Sequence, residues 1–319
     1  MEYLSHLIRI SYTVIGPIVV LVGAGYLVGR RVPAAAEVLA KILLYLLIPV
    51  YVFLNVLDSS LGRETCVQAV VFSVVIFALL YAAARAVAAQ RRFDPPLRGA
   101  FINTAILYNS ANFAIPVMDL AFGFDETQRT FAVAAQVVVG AVQGLGAYTI
   151  GAFIAAAGSG NVGHAAAKVF RLPFIYALIL VLILKGLGLR SEHLQQVTIL
   201  WKPATIIGGA YVPIALMTLG AQMATVRLVR APVDLTLSTV LRLAVGPVLA
   251  LGLVKAMGIE GILAQVLVIG ASGPTAVASA VVAIEFRNRP DFAASAVFLS
   301  TLGAGVTVPV IIFLVQSFL

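Results

Sequence analysis

The sequence predicts an all-α membrane protein of ten transmembrane helices in two inverted five-helix repeats, with the fourth and ninth helices broken. Three observations predict it. The chain is 61% hydrophobic and only 11% charged, against about 25% charged residues in an average soluble domain, and its mean hydropathy is +1.06. Its 319 residues hold ten apolar segments close to the roughly 20 residues a membrane helix needs. Polar, proline-bearing interruptions fall at matching places in the two halves, and paired breaks of that kind point to a transporter binding site.

The first five segments are 11–28, 38–57, 66–88, 99–122 and 131–157, and the second five are 172–189, 203–224, 235–257, 261–285 and 292–319. The first run continues to Val28 and is followed by Arg30 and Arg31. With no small-residue cleavage site there, it reads as a membrane helix and not as a removed leader. The second segment of each set carries a proline (Pro49, Pro213). The fourth carries the broken centre, and the fifth carries mid-span glycines (Gly140, Gly144, Gly146; Gly303, Gly305). A polar connector, Gly158-Ser-Gly-Asn-Val-Gly-His164, divides the sets, so the repeats are 1–160 and 161–319. Five is odd, so the second copy enters the bilayer from the opposite side, as in many carriers.

Charge sets the orientation. Arg30, Arg31, Lys41, Arg85, Arg91, Arg92, Arg98, Lys168, Arg171, Arg227, Arg230, Arg242, Arg287 and Arg289 follow the odd-numbered segments, 14 of the 21 basic residues. The positive-inside rule makes that side cytoplasmic, which places a multi-pass protein in the plasma (inner) membrane with both termini outside. The net charge of +8 does not indicate nucleic acid, because the basic residues are spread over loop ends without a basic face or a binding motif. A lone cysteine, Cys66, leaves no internal disulfide or cysteine-cluster metal site. The three histidines, His6, His164 and His193, fall in loops or near ends. No metal, cofactor or catalytic grouping is expected.

The broken centres carry the chemistry. In the fourth segment Asn109, Ser110, Asn112 and Pro116 interrupt an apolar run, and in the ninth Gly270-Ala-Ser-Gly-Pro-Thr275 does the same. Proline removes an N–H and clashes with the carbonyl four residues back. At the first position of a new half-helix it is well placed, since that N–H has no partner anyway, and Pro116 and Pro274 suit that role, with Ser272 and Gly273 relaxing the backbone. Two half-helix N-termini then meet near the midplane, an anion site made of backbone. Asn109, Ser110, Asn112, Ser272 and Thr275 surround it with neutral donors and acceptors.

Asp119, the one acid well inside a span, has two readings: proton coupling, or a carboxyl satisfied by a neighbouring helix or by the external vestibule. Gln136 and Gln143 share a helical face and either line the cavity or tie helices together. Glu285 and Arg242 sit near cytoplasmic ends, where long charged side chains snorkel.

These residues resemble a known family. Tyr108-Asn-Ser-Ala-Asn-Phe-Ala-Ile-Pro-Val117 with Leu120-Ala-Phe-Gly123 is similar to the fourth-helix motif of the auxin efflux carrier family, which includes bacterial malonate and malate permeases and plant auxin exporters. Gly273-Pro-Thr-Ala-Val-Ala-Ser-Ala-Val-Val-Ala-Ile-Glu-Phe286 and Ala294-Ser-Ala-Val-Phe-Leu-Ser-Thr301 resemble its ninth and tenth helices, and Val212-Pro-Ile-Ala-Leu-Met-Thr-Leu-Gly-Ala221 its seventh. Ala278 and Ser279 stand where family members often carry an asparagine, and the connector after the fifth segment is short.

The resemblance implies a sodium/proton-antiporter-like, elevator-type fold with crossed fourth and ninth helices. It implies a scaffold of 11–59 and 172–224 that forms a homodimer, and a mobile transport domain of 66–157 and 235–319. Asn109, Asn112, Pro116, Gln136 and Pro274 become the substrate-facing set. The expected function is secondary transport of a small organic anion, a carboxylate such as malonate, malate or an auxin-like acid, within the lipid bilayer. A sodium- or proton-coupled symporter or antiporter of similar fold is the alternative, and an anion channel a further one. Antiporters of that kind need buried acids in the transport core, and segments five and ten have none.

Overall fold

Long uncharged runs of Leu, Val, Ile and Ala become helices in lipid because a helix satisfies its own backbone polar groups. The computed structural model describes residues 2–32, 34–156 and 173–319. In chain order the helices are α1 (Ser5–Arg31), α2 (Ala35–Leu57), α3 (Arg63–Gln90), α4 (Pro95–Ile106), α5 (Ala114–Ala121), α6 (Glu126–Ala156) and α7 (Pro173–Gly186). There follow α8 (Ser191–Gln195), α9 (Thr198–Met223), α10 (Pro232–Ala256), α11 (Gly261–Ala271), α12 (Val277–Glu285) and α13 (Pro290–Phe318). Seven of these, α1, α2, α3, α6, α9, α10 and α13, are long and apolar enough to cross a membrane. No strand occurs among the described residues; one isolated antiparallel bridge joins Tyr108 to Thr275.

Each of the ten apolar segments is helical over most of its length, and the fourth and ninth are each divided into two helices. The polar connector 158–164, the repeat boundary at 160/161 and the segment ends at 157 and 172 lie outside the described residues, as do Lys168 and Arg171.

Four turns inside the long helices are wider than an α-turn: Ser11–Ile15, Leu43–Leu47, Ala147–Gly151 and Leu241–Val245. Three of them lead directly into a proline, at Gly16-Pro17, Ile48-Pro49 and Gly246-Pro247. The physical cause is the proline ring, which collides with the carbonyl four residues back. Bonding five residues back moves that carbonyl aside. Each wide turn also rotates the side chains it contains, with a consequence at Arg242.

Without a hydrophobic force between helices in lipid, close packing depends on small residues. The helices α1 and α9 show this. A Cβ at Gly220 would lie 1.9 Å from the Val22 carbonyl oxygen, and one at Gly25 would lie 2.1 Å from that of Met217. The Gly25-to-Gly29 spacing is therefore used within the chain. Tyr51 of α2 stacks on Tyr211 of α9 with ring centroids 4.2 Å apart.

Candidate functional site

The site begins where α4 and α11 stop. Asp94 caps α4 by accepting the Leu97 N–H at 2.9 Å, with Pro95 at the first helical position. The helix ends at Ile106, and Leu107 is extended. On the other side α11 ends at Ala271, and Ala276 is extended before α12 starts. The two extended stretches pair with each other. The Asn109 N–H donates to the Pro274 carbonyl at 2.8 Å, and the Ala276 N–H donates to the Leu107 carbonyl at 2.8 Å. Backbone groups stranded by one break are thus satisfied by the other.

Neither proline opens its half-helix as expected. Pro116 is the third residue of α5, which begins at Ala114; it still falls in the first turn, where no intrahelical N–H partner exists. Pro274 lies in the extended stretch ahead of α12, where its fixed φ suits the pairing and its carbonyl is the acceptor.

Several expected ligands are occupied by this framework. Thr275 Oγ1 donates to the Thr104 carbonyl at 2.8 Å, and its N–H donates to Ser300 Oγ at 3.0 Å. Ser272 Oγ donates to the Val268 carbonyl at 2.6 Å, and the Gly273 N–H returns to Gly270 at 3.2 Å. Gln136, fully buried, donates from Nε2 to the Ser110 carbonyl at 3.0 Å. Thr275 thus ties the second break to α4 and α13, and Gln136 ties α6 to the first, whereas Ser272 and Gly273 bond within their own turn. Ser272, Gly273, Pro274, Thr275, Pro116 and Gln136 are not among the residues that line the adjoining cavity.

That cavity has a volume of about 210 Å³ and is walled by α2, the first break, α6 and the start of α12. Asn109, Ser110, Asn112 and Gln143 line it, together with Tyr108, Tyr148 and the segment Ala276–Ala278. The rest of the wall is apolar, including Ile48, Val52, Ile115 and Val137. Asn109 Oδ1 accepts the Asn112 N–H at 3.1 Å, but Asn109 Nδ2 is buried without a partner, and the buried Gln143 amide has only the Tyr108 hydroxyl beside it. Buried amides left unpaired are unfavourable, and a polar ligand would satisfy them.

Two side chains reach the break from the long helices. The Tyr211 hydroxyl donates to the Ala111 carbonyl at 3.1 Å, and the Tyr51 hydroxyl donates to Asp119 Oδ1 at 2.7 Å. Asp119 also pairs with Arg129 at 2.6 Å, and Arg129 pairs in turn with Glu126 at 2.6 Å. Asp119 borders a separate groove with Tyr12, Gly123 and Phe124, away from the crossing.

Arg242 corrects the sequence reading. It does not snorkel. It is fully buried, with Nη1 donating to the Ala105 carbonyl at 2.8 Å and Nη2 donating to the Ala271 carbonyl. Its guanidinium stands over the Tyr108 ring, 5.0 Å from the centroid. Glu285, by contrast, is exposed. Arg242 sits in the wide turn Leu241–Val245, and the Gly246-Pro247 pair just after it was the signal for that turn.

A sequence-family model described as membrane transport protein matches residues 10–312. The chain belongs to that family, the auxin efflux carrier family. That description makes membrane transport the activity to weigh first. The chain is also similar to an uncharacterized transporter of Methanothermobacter thermautotrophicus, 35% identical over 108 residues. That match spans 33% of this chain and 36% of the relative's length.

Proposed function

We infer that this transporter is a secondary carrier of small organic anions, with its substrate held in the cavity beside the paired breaks. One observation carries the reading: the buried amides of Asn109, whose nitrogen has no partner, and of Gln143, which has only the Tyr108 hydroxyl beside it, belong to residues lining a cavity that the start of α12 also borders. Helix N-termini favour anions by up to about 2 kcal/mol in partly buried geometries. Amides add directional donors without a fixed countercharge in the wall. Such a site binds weakly enough to release its cargo, which suits a carrier.

The apolar remainder of the wall fits the carbon skeleton of a carboxylate such as malonate, malate or an auxin-like acid. Ten crossings in two inverted repeats, elevator-like movement of 66–157 and 235–319 against 11–59 and 172–224, and a homodimer through the latter complete the proposal. With Arg242 moved from loop to core, 13 of the 21 basic residues remain on the side assigned to the cytoplasm, so the orientation with both termini outside stands in the inner membrane. Asp119, bonded to Arg129 and Tyr51, has no part at the cavity in this reading.

The test is counterflow of labelled malonate, malate and indole-3-acetate in proteoliposomes. Saturable exchange that falls with Asn112→Ala and Gln143→Leu supports the assignment. Transport by both variants at the parent's rate removes the cavity from the mechanism, and flux that neither saturates nor exchanges indicates a channel.

A further inference from the structure

A pair of broken helices brings both kinds of helix end to one place. Each N-terminus carries about half a positive elementary charge and each C-terminus about half a negative one. Here α5 and α12 begin where α4 and α11 end. By themselves the four ends cancel, and the junction would prefer neither sign of ligand.

Arg242 removes that symmetry. Its two terminal nitrogens bond to Ala105, next to last in α4, and to Ala271, the last residue of α11. A whole positive charge thereby sits on the two negative ends. No acid pairs with it among the described residues. Room for the guanidinium comes from Gly246, one turn on, where a Cβ would lie 2.5 Å from Nη2.

We propose that Arg242 is a positioning residue that sets the cavity's preference for anions: it neutralises the ends of α4 and α11 and leaves the starts of α5 and α12 to act on the ligand. The effect reaches the cavity through Tyr108, which lines it and lies against the guanidinium. Burial away from water keeps the charge unscreened. At roughly 8 Å and an effective dielectric near 20, one charge changes a monoanion's affinity by about tenfold or more. This inference rests on the carrier reading and extends it to the origin of charge selectivity.

The experiment compares acids with their neutral amides: phenylacetate against phenylacetamide, and malonate against malonamide. Binding is measured by calorimetry on the purified full chain in detergent, for the parent, R242K, R242M and Gly246→Ala, each checked for a monodisperse profile. The parent is expected to prefer the acid. R242M should reduce the acid-to-amide ratio about tenfold or more, whereas R242K, which keeps the charge, should stay within about threefold of the parent. Gly246→Ala, which crowds the guanidinium away from Ala271, should also lower the ratio, and it decides the question if R242M does not fold. A merely structural arginine would weaken acid and amide alike. An unchanged ratio in R242M or Gly246→Ala overturns the inference and leaves the carrier reading standing. A parent that binds neither acid defeats that reading, and the inference with it.

Discussion

The backbone of Asn109 donates to the carbonyl of Pro274 at 2.8 Å, so the two breaks complete each other's hydrogen bonding. The side chain that secures this pairing is Thr275, bonded to the Thr104 carbonyl at 2.8 Å and fully buried. Thr275→Val keeps the shape and leaves that carbonyl unpaired. It should lower stability by about 1–3 kcal/mol, read as an earlier thermal transition in detergent, while Thr275→Ser should stay close to the parent. Equal transitions for the two variants would show that the bond contributes nothing.

Gln136 and Gln143 lie on one helix but differ in surroundings. Gln136 donates to the Ser110 carbonyl, whereas Gln143 holds no backbone group and has only the Tyr108 hydroxyl beside its amide. Gln136→Leu should destabilise by about 1–3 kcal/mol, because a buried carbonyl loses its donor. Gln143→Leu should leave stability unchanged or raise it, yet weaken carboxylate uptake several-fold. Thermal melts and proteoliposome uptake on both variants separate the roles; a reversed pattern would exchange the two assignments.

The α1–α9 contact has no room for a methyl group. With the Val22 carbonyl 1.9 Å from a Cβ at Gly220, Gly220→Ala must push two backbones apart. We expect a loss of about 2 kcal/mol or more, in the range for overpacked cores. Gly23 has nothing within 4 Å of its Cβ position, so Gly23→Ala is the matched control and should be neutral or mildly stabilising. Melting curves of the two variants check this.

Asp94 joins two loops, pairing with Arg289 at 2.6 Å while capping α4. The Arg289 guanidinium, and then the Leu97 N–H, hold its carboxyl below the ordinary value of 3.8. A depressed folded value means that the contribution is complete above the unfolded pKa and is lost as the pH falls through the folded one. Stability should therefore respond to this group only below about pH 4. The pair is about half exposed, so it is worth less than about 1 kcal/mol. Asp94→Asn keeps the cap and should flatten only that acid limb. Asp94→Ala should also lower stability by about 1 kcal/mol at neutral pH. Stability measured from pH 3 to about pH 8 tests both.

Hydropathy located the long helices because a membrane span is set by the length of an uncharged run, and Asn109, Asn112 and Pro274 marked the breaks because lipid tolerates such groups only where they are paired. The inner assignments were less legible. Ser272 and Thr275 look like ligands in sequence, but Ser272 turns back onto Val268 in its own helix, and the partners of Thr275, Thr104 and Ser300, become visible only when distant segments meet. Arg242 lies only seven residues into the apolar run 235–257, which suggested a side chain reaching the surface. The helix starts earlier, at Pro232, and the wide turn before Pro247 directs the side chain inward. A charged residue within a span is a functional candidate by default, and applying that rule to Arg242 would have found it.

The stacked phenols of Tyr51 and Tyr211 work as a clasp. One closes on Asp119 and the other on the loop carbonyl of Ala111. In the proposed elevator movement, sliding of that loop and its neighbours past α2 and α9 must open both bonds, about 1 kcal/mol net for the one to the carbonyl and about 1.5–3 kcal/mol for the one to the carboxylate. A fastener of that strength yields to thermal motion, so in that movement the same two rings would grip and let go at each excursion.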